Sequence, residues 1–444
     1  MKRSLILVCC LLMMCLPLLV FAGGGQEAAA KGEKPAKIVL MNAGTLAGDP
    51  GINFMRQEWG KKNGIPIEVI EQGEAALYEK QMAALSAGDT SIDIMAANER
   101  WVQDWGAAGW LEPLDDVMKD IVPYYTPGAD IQLKYNGKYY GAHGGNMVMV
   151  MYYRKDLLKQ FGRKEPPKTW DELVEFGKWA TKDLNGDGNI DQWGIVFAGT
   201  ADTHYSDIVF TLIHQLGGKV YDGNKITINS DASRKALQAM VDLRNKHKIA
   251  PPGVNTYSSN ECLQALQSGS SAMVLSWTWM GKLLNQPTSA IKENWSWALL
   301  PLLPGGKPSS ITITTPLILN KASKAKSWAK DFIHYYTSYE GQVTEVVKEF
   351  GNVALMPKVY EDPRVKNPPP EELAKVNLNL EQWTELQSRI LEAVRVVQVE
   401  RARKQGELDR AVFTEMNSAL SGIKTVDQAI IDAEKQMKRI NEGL

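Results

Sequence analysis

Short apolar stretches alternate with amphipathic ones along the first hundred positions that are expected to fold. Residues 38–41 are a short apolar run, and residues 67–70 and 92–95 are mostly apolar, so all three are predicted to be strands. Two amphipathic segments separate them and repeat apolar residues at helical spacing. The apolar positions of these predicted helices are Ile52, Met55 and Trp59 in the first, and Tyr78, Met82 and Leu85 in the second. The repeated strand–helix–strand order predicts a parallel sheet covered by helices.

A longer apolar run follows at residues 147–153, and it predicts a strand that is buried on both faces. The glycine-rich stretch before it, residues 139–146, suggests a crossing between two parts of the fold, because small residues absorb changes of backbone angle. Further on, Thr169 and Glu172 have the spacing of a capping box and predict the start of a helix. Residues 425–428 repeat this spacing ahead of another amphipathic stretch.

The N-terminal end has the pattern of a secretory signal peptide. Lys2 and Arg3 precede an apolar stretch that runs to Ala22 and is followed by three glycines. We expect cleavage after Ala22, which defines residues 1–22 as the signal peptide. Residues 23–36 lack apolar periodicity and are predicted to form a flexible leader.

Processing changes the cysteine count and the charge of the chain. Three of the four cysteines lie in the signal peptide, so the mature chain retains Cys262 and no internal disulfide is expected. Met14 precedes Cys15, where lipidation requires a small residue, so we favour a periplasmic protein over a lipid-anchored one. Loss of Lys2 and Arg3 takes the formal net charge from −1 to −3. Acids and bases are interspersed along the rest of the chain, so we expect no nucleic-acid partner.

Polar residues follow the predicted strands, at the edge of a parallel sheet where ligands bind. Asn42 comes directly after the first strand, and Asn98, Glu99 and Trp101 come after the third. We treat these four as candidate ligand contacts. The alternative is that they cap the helices that follow.

A predicted strand at residues 271–276 leads directly into Trp277 and Trp279. Residues two apart in a strand share a face. An indole at a strand end that faces a cleft offers a flat apolar surface to the hydrogen-bearing face of a sugar. Core packing is the alternative explanation for either tryptophan.

Most catalytic motifs are missing from the sequence. The five histidines are scattered, with no HExxH or CxxC pattern, and no GxSxG, Walker-type or GxGxxG pattern follows a strand. Paired carboxylates of a glycosidase stay open, because they leave little local trace. We expect no required cofactor.

One loop matches the oxygen spacing of a calcium-binding loop. Its candidate ligands are Asp183, Asn185, Asp187, Asn189 and Asp191. Gly194 stands where such loops carry a bidentate glutamate. Structural Ca²⁺ is therefore weighed against a polar turn that is held by side-chain hydrogen bonds to its own backbone.

Several motifs occur in an order that resembles a known family. They are YNGKYYGAHGG from Tyr135, PPKTWDEL from Pro166, NGDGNIDQWG from Asn185, LQSGSSAMVLSWTW from Leu266 and GNVALMPK from Gly351. Together they resemble the extracellular solute-binding proteins of family 1, the maltose-binding-protein-like sugar-binding components of ABC transporters. The resemblance spans nearly the whole mature chain.

This resemblance implies an α/β, two-lobe periplasmic-binding-protein fold, in which each lobe is a sheet flanked by helices and a multi-stranded hinge joins them. Lobe one would comprise residues 37–140 and 304–350, and lobe two residues 141–303 and 351–444. The family's function implies a monomer that captures a mono- or oligosaccharide by hinge closure and delivers it to the membrane permease subunits, without enzymatic activity.

The family's cleft positions fall on named residues of this sequence. They are Asn98, Glu99, His143, Asn146 and either Trp277 or Trp279. One departure stands out, because a C-terminal stacking aromatic of the family falls near Asp409 and Arg410. The number of stacking surfaces, and with it the length of the sugar, therefore stays open.

Two other classes of function are considered. A secreted carbohydrate-active enzyme would also be rich in tryptophan. A binding protein for a polyamine, a peptide or a metal would share the fold, and a cationic ligand would require several carboxylates in the cleft. A ligand carrier for a chemoreceptor is compatible with transport.

Overall fold

The structure is a computed structural model that describes residues 32–43, 49–223, 225–399 and 402–443. The predicted signal peptide and the leader up to residue 31 lie outside the described residues.

Strands and helices alternate along this part of the chain. The strands are β1 (Ile38–Ala43), β2 (Ile67–Gln72), β3 (Ile94–Ala96), β4 (Lys134–Tyr135), β5 (Lys138–Tyr139), β6 (Asn146–Arg154), β7 (Trp193–Phe197), β8 (Tyr221–Asp222), β9 (Lys225–Ile226), β10 (Ser271–Trp277), β11 (Trp295–Ala298), β12 (Ser310–Thr314), β13 (Leu317–Leu319) and β14 (Val397–Gln398).

The α-helices among the described residues are α1 (Pro50–Asn63), α2 (Glu74–Ala87), α3 (Val102–Ala107), α4 (Asp115–Met118), α5 (Lys155–Gln160), α6 (Trp170–Ala180), α7 (Thr203–Gln215), α8 (Asp231–Asn245), α9 (Ser259–Ser268), α10 (Lys326–Thr337), α11 (Tyr339–Lys348), α12 (Pro363–Lys366), α13 (Pro370–Lys375), α14 (Leu380–Val394), α15 (Gln405–Leu420) and α16 (Val426–Glu442). Short 3₁₀ turns add Glu99–Trp101, Val122–Tyr124, Ile131–Leu133, Val254–Thr256, Thr278–Leu283 and Pro357–Glu361. No helix in the described ranges is long and apolar enough to span a membrane.

The first lobe is built on a four-stranded sheet of order β13-β3-β1-β2. Strand β1 pairs in parallel with β2 and β3, as the strand–helix–strand pattern predicted, and β13 adds an antiparallel edge. The predicted inner face of α2 is confirmed at Leu85 but is off by one position at Tyr78 and Met82. Leu77, Gln81 and Leu85 are buried there, whereas Tyr78 is 39 % exposed. Gln81 is tolerated inside because its amide donates to the Ala96 carbonyl.

The second lobe is a mixed sheet of order β14-β12-β6-β10-β7, with β11 also paired to β6. Strand β6 is the predicted buried run, and its side chains alternate between two cores. Val148, Val150 and Tyr152 enter one core, and Met149, Met151 and Tyr153 enter the other. The first of these cores continues into lobe one, and the second is covered by α7, α8, α15 and α16.

The sheet pairing corrects one predicted lobe boundary. We expected the chain to return to lobe one at residue 304, but β12 pairs with β6 in the second sheet. The following strand, β13, pairs with β3 in the first sheet. The crossing therefore falls between Thr314 and Leu317, because the backbone hydrogen bonds of β12 are made in lobe two.

Both predicted helix starts are confirmed. The Thr169 hydroxyl accepts from the Glu172 amide, and the Glu172 carboxylate accepts from the Thr169 amide, which completes a capping box at α6. At α16, the Thr425 hydroxyl accepts from the Gln428 amide. Side chains at these positions satisfy helix amides that have no partner within the helix.

The chain crosses between the lobes a third time at Gly351. The backbone there leaves no room for a side chain. The φ of Gly351 is +99°, and an added Cβ would lie 2.7 Å from the Thr278 carbonyl oxygen. We expect Gly351→Ala to destabilise the protein by about 1–3 kcal/mol or more, because it combines backbone strain with a steric clash. Denaturant unfolding followed by circular dichroism measures this.

The matched control is Gly406→Ala in α15, where an added Cβ meets nothing within 4 Å. Alanine is the better helix former, so this variant should be neutral or more stable by up to about 1 kcal/mol. Equal stabilities for the two variants would contradict the role assigned to Gly351.

Candidate ligand-binding cleft

Loops from the carboxyl ends of strands in both sheets meet between the lobes. In lobe one, the 3₁₀ turn Glu99–Trp101 follows β3. In lobe two, α7 follows β7, and the 3₁₀ turn Thr278–Leu283 follows β10. This is the edge of α/β sheets at which ligands bind, because side chains can be presented there without disturbing the core.

The contact between the lobes is centred on the guanidinium group of Arg100. Its Nη2 lies 3.0 Å from Asp207 Oδ1, and its Nε lies 2.8 Å from Asp409 Oδ2. Its Nη1 lies 3.1 Å from Glu99 Oε1. Tyr221 donates from its hydroxyl to Asp409 Oδ1 at 2.6 Å. Asp207 lies in α7 and Asp409 in α15, so Arg100 joins lobe one to two helices of lobe two.

The charges in this cluster are buried and unequal in number. One guanidinium faces three carboxylates, and the side chains are between 1 and 11 % exposed. Burial raises the pKa of Asp207 to about 7, although Arg100 acts in the opposite direction. Burial also raises the pKa of Glu99. Burial acts to lower the pKa of Arg100, but the surrounding carboxylates outweigh it, so its pKa is raised and it stays charged.

Two of the candidates in lobe one belong to this cluster, and the other two make separate contacts. Glu99 pairs with Arg100, and the Asn98 side chain accepts from the Arg100 amide at 3.0 Å, which caps the 3₁₀ turn. Trp101 packs against Tyr78, with ring centroids 5.0 Å apart, in an aromatic group of lobe one. Asn42 is buried and donates to Asp49 at 3.0 Å.

The two tryptophans after β10 occupy different environments. Trp277 is the last residue of β10 and is fully buried, and His204 meets it edge-on at 6.4 Å. Trp279 lies in the 3₁₀ turn, is half-buried and packs against both cores. The two indoles therefore do not share a strand face, because the strand ends at Trp277. Trp279 is the better placed of the two to meet a ligand.

His143 and Asn146 are buried at the first crossing between the lobes, and their contact with a ligand stays a prediction. His143 is fully buried and stacks on Tyr125, with centroids 5.2 Å apart. Burial lowers its pKa to about 4, so it is neutral at physiological pH. Asn146 is buried where β6 begins, and its backbone and side chain both bond to Val353. Both residues lie at a crossing of the chain between the lobes. This is the crossing that was expected from the glycine-rich stretch at residues 139–146.

A second buried acidic cluster lies at the crossings, and the sequence patterns did not indicate it. Glu345 and Glu349 project from the end of α11, close to Asp49. Asn352 donates to Glu345 Oε1 at 2.9 Å, and Lys282 from lobe two lies 2.6 Å from Glu349 Oε1. The other carboxylate oxygen of each glutamate is buried and has no hydrogen-bond partner among the described residues.

Asp207 is a site residue that the sequence patterns did not indicate, and Asp409 was named only as a departure from the family's stacking aromatic. Asp207 lies in a helix whose neighbouring positions are almost all buried, from Tyr205 to Ile213. A charge in such a helix requires a partner, because an unpaired buried carboxylate is costly. That mismatch between charge and surroundings was the available signal, but the sequence does not identify Arg100 as the partner.

The predicted calcium loop is held together by hydrogen bonds within the loop. Asp183 accepts from the amides of Gly186 and Gly188, and Asp191 accepts from the amide of Leu184. In the described ranges, no group of three or more His, Cys, Asp or Glu side chains is placed to hold a metal ion. The hydrogen bonds match the alternative of a polar turn, and calcium binding at this loop stays a prediction.

Two lobes, three crossings and polar loops that meet between the lobes define the class of two-lobed binding proteins. Within this class, residues 43–343 match the family of bacterial extracellular solute-binding proteins. The chain belongs to this family, and the resemblance drawn from the motifs is confirmed.

Relatives are found among binding proteins of transporters. A probable ABC transporter-binding protein of Deinococcus radiodurans is 28 % identical over 325 residues, which cover 68 % of this chain and 72 % of that one. A probable amino-acid ABC transporter periplasmic-binding protein of Sinorhizobium fredii is 22 % identical over 411 residues, covering 89 and 87 %. A mannitol-binding protein of Pseudomonas aeruginosa is 25 % identical over 283 residues, which cover 62 % of each chain.

Solved structures share the two-lobe fold, which confirms the predicted fold class. Maltose-bound MalE3 of T. maritima superposes with a TM-score of 0.73 at 26 % identity, covering 91 % of this chain and 99 % of that one. A solute-binding protein of Thermotoga lettingae with bound α-D-tagatose superposes with a TM-score of 0.75 at 23 % identity, covering 92 and 100 %. The second likeness supports the fold alone.

The buried glutamates at the crossings predict a falling stability as pH rises. Burial raises the pKa of Glu345 to about 8 and that of Glu349 to about 7, from an ordinary value of 4.5. Folding therefore takes up protons, and the stabilisation is complete below the unfolded pKa and lost as pH passes the folded values. We expect the free energy of unfolding to fall between about pH 5 and pH 8.

Glu345→Gln should reduce this pH dependence, because the amide cannot ionise. Thermal unfolding at half-unit pH steps measures the slope for each protein. Glu175→Gln is the control, since the Glu175 side chain is 60 % exposed, and its slope should equal that of the wild type. An unchanged slope in Glu345→Gln would argue against the assignment.

Proposed function

We propose that this chain is the extracytoplasmic binding component of an ABC-type importer, that it captures a sugar or polyol between its lobes, and that it delivers the ligand to the membrane permease. The observation that carries the proposal is that polar loops from both lobes meet at Arg100, at the carboxyl ends of β3 and β7. A ligand enclosed there contacts both lobes only when they are closed. Family membership supports the transport role.

The side chains around the cleft suit a ligand with hydroxyl groups. Trp279 offers a half-buried indole at the end of β10. In the core of lobe two, the Trp277 indole N–H and the Tyr205 hydroxyl are buried without a hydrogen-bond partner among the described residues. Buried polar groups are normally paired, so both atoms are suited to bonding a ligand or an ordered water. Carboxylates such as Glu99 accept hydrogen bonds from sugar hydroxyls.

The names of relatives support the ligand class. Mannitol, maltose and tagatose are the ligands that appear in the names of three proteins similar to this chain. A further relative, from Halalkalibacterium halodurans, is an arabinooligosaccharide-binding protein. One relative is named for amino acids, so another solute is the second candidate. The excess of buried carboxylates favours that candidate only for a cationic solute.

Closure of the lobes would couple binding to transport. A ligand shifts the balance between the open and closed states only through its higher affinity for one of them. Contacts made in both lobes supply that difference. The permease would then recognise the closed state of a periplasmic, monomeric protein.

The same reasoning leads us to propose that the chain is not an enzyme. The acidic residues of the cleft are paired with Arg100, and the family consists of binding proteins. Incubation with a panel of glycans, followed by an assay for reducing ends, tests this. Release of reducing ends would revive the class of carbohydrate-active enzymes.

Thermal unfolding of residues 23–444 against a panel of solutes tests the proposed function. The panel contains monosaccharides, oligosaccharides, polyols, amino acids, polyamines and calcium. A ligand at about a hundred times its dissociation constant stabilises by about 2.7 kcal/mol, which raises Tm by several degrees. We expect a response to one class of sugar or polyol. A response to amino acids or polyamines alone would contradict the carbohydrate assignment.

Trp279→Ala should weaken binding of the sugar by about tenfold or more while costing little stability, because the indole is half-buried and contacts the ligand. Titration calorimetry measures the affinity, and thermal unfolding without ligand measures the stability.

Trp277→Ala is the matched comparison. It removes a fully buried indole and should destabilise the fold by about 3–5 kcal/mol. If Trp279→Ala destabilised the ligand-free protein just as strongly and left the affinity of the folded fraction unchanged, Trp279 would be a core residue and not a binding surface.

A further inference from the structure

We propose that Arg100 is an interlobe latch, a positioning residue that keeps the lobes together before any ligand arrives. The proposal goes beyond ligand capture, since it concerns the balance between open and closed states of the empty protein. It holds or fails whatever the ligand proves to be.

Arg100 bonds to both lobes at once. Within lobe one its Nη1 meets Glu99, while its Nη2 and Nε reach Asp207 and Asp409 of lobe two at 3.0 and 2.8 Å. Charge-assisted bonds from a guanidinium are among the stronger polar contacts in proteins. Asp207 and Asp409 lie on separate helices, α7 and α15, so Arg100 contacts lobe two at two separate points.

The turn that carries Arg100 is fixed within lobe one. The Asn98 side chain accepts from the Arg100 amide and fixes the 3₁₀ turn directly after β3. The Glu99 carboxylate in turn accepts from the backbone amide of Thr314, the last residue of β12 in lobe two, and so adds a further contact between the lobes. Movement of Arg100 away from Asp207 is therefore coupled to movement of the lobe and not of a loose side chain.

Arg100 is the cation that balances the buried carboxylates of the cluster. Without Arg100, three carboxylates would be buried together in the closed state with no cation among them. Such an arrangement is strongly unfavourable, whereas opening the lobes returns Asp207 and Asp409 to water. Loss of Arg100 should therefore favour the open state. Loss of one carboxylate partner should have a smaller effect, because it also reduces the excess of negative charge.

A second interlobe contact provides a comparison. The Asp104 carboxylate of lobe one accepts from the Lys404 backbone amide at 3.1 Å and lies 3.3 Å from Arg403 Nε. The side chains of Asp104 and Arg403 are 34 and 47 % exposed, so water competes for this contact. We assign the latch to Arg100 and expect Asp104→Asn to open the lobes much less.

Distances between spin labels on the two lobes test the proposal in the absence of ligand. Lys61 in α1 and Lys246 after α8 have side chains that are 74 and 70 % exposed, so both accept labelled cysteines. Cys262 is fully buried and is replaced by alanine to avoid side reactions. Pulsed electron resonance then gives the distance distribution of the empty protein, and circular dichroism confirms that each variant is folded.

We expect the empty wild type to populate both a closed and an open distance, and Arg100→Gln to raise the ratio of open to closed molecules by about tenfold or more. The double variant Arg100→Gln/Asp207→Asn should recover part of the closed population, because it relieves repulsion between carboxylates. A purely structural role for Arg100 would not produce that recovery. Arg163→Gln, which breaks an ion pair within lobe two, is the control and should match the wild type.

An unchanged distribution in Arg100→Gln, or a wild type that is already open, would overturn the proposal. If Arg100→Gln does not fold, Arg100→Lys takes its place, because lysine keeps the charge but cannot span all three carboxylates. Arg100→Lys should give an open population that is larger than that of the wild type but smaller than complete opening. A distance distribution equal to that of the wild type would overturn the proposal. A shift in distance with no sugar response in the thermal panel would leave the latch standing and reject the proposed function.

Discussion

The structure depends on one strand that is buried on both faces. β6 pairs with β10 and β11 along one half of its length and with β12 along the other, and its side chains alternate between two cores. One core continues into lobe one, and the other fills lobe two. Because β6 begins at a crossing between the lobes, the same strand organises the second sheet and anchors the hinge to it.

This arrangement buries charged groups at positions where their burial costs free energy. Arg100 and its three carboxylates are buried between the lobes, and Glu345 and Glu349 are buried at the crossings. Neither cluster simply stabilises the fold. Burying a charge costs desolvation free energy, and ion pairing offsets only part of that cost. Both lie where the lobes would move relative to each other. The placement fits a protein whose two conformations must remain close in free energy.

The sequence predicted those features that depend on local pattern. The strand at 147–153, the helix caps at Thr169 and Thr425 and the parallel order of β1, β2 and β3 follow from periodicity and from side chains within a few residues of each other. The inner face of α2 was wrong in part because Gln81, a polar residue, is buried there on the strength of one hydrogen bond.

The site was predicted less well, because its partners are distant in sequence. Asp409 lies 309 residues from Arg100, and no local spacing connects the two. The resemblance placed His143 at the cleft, and nothing in the sequence indicated that its ring would be buried against Tyr125. Burial of this kind is decided by tertiary packing, which a single sequence does not reveal.

The central claim is that one ligand is bound by both lobes together. Hydrogen–deuterium exchange, measured with and without the sugar or polyol that most raises Tm, tests it directly. The account predicts that the ligand slows exchange in segments of both lobes, namely residues 98–103 after β3 and residues 277–283 after β10. Slower exchange in only one lobe, with the other unchanged at saturating ligand, would contradict it.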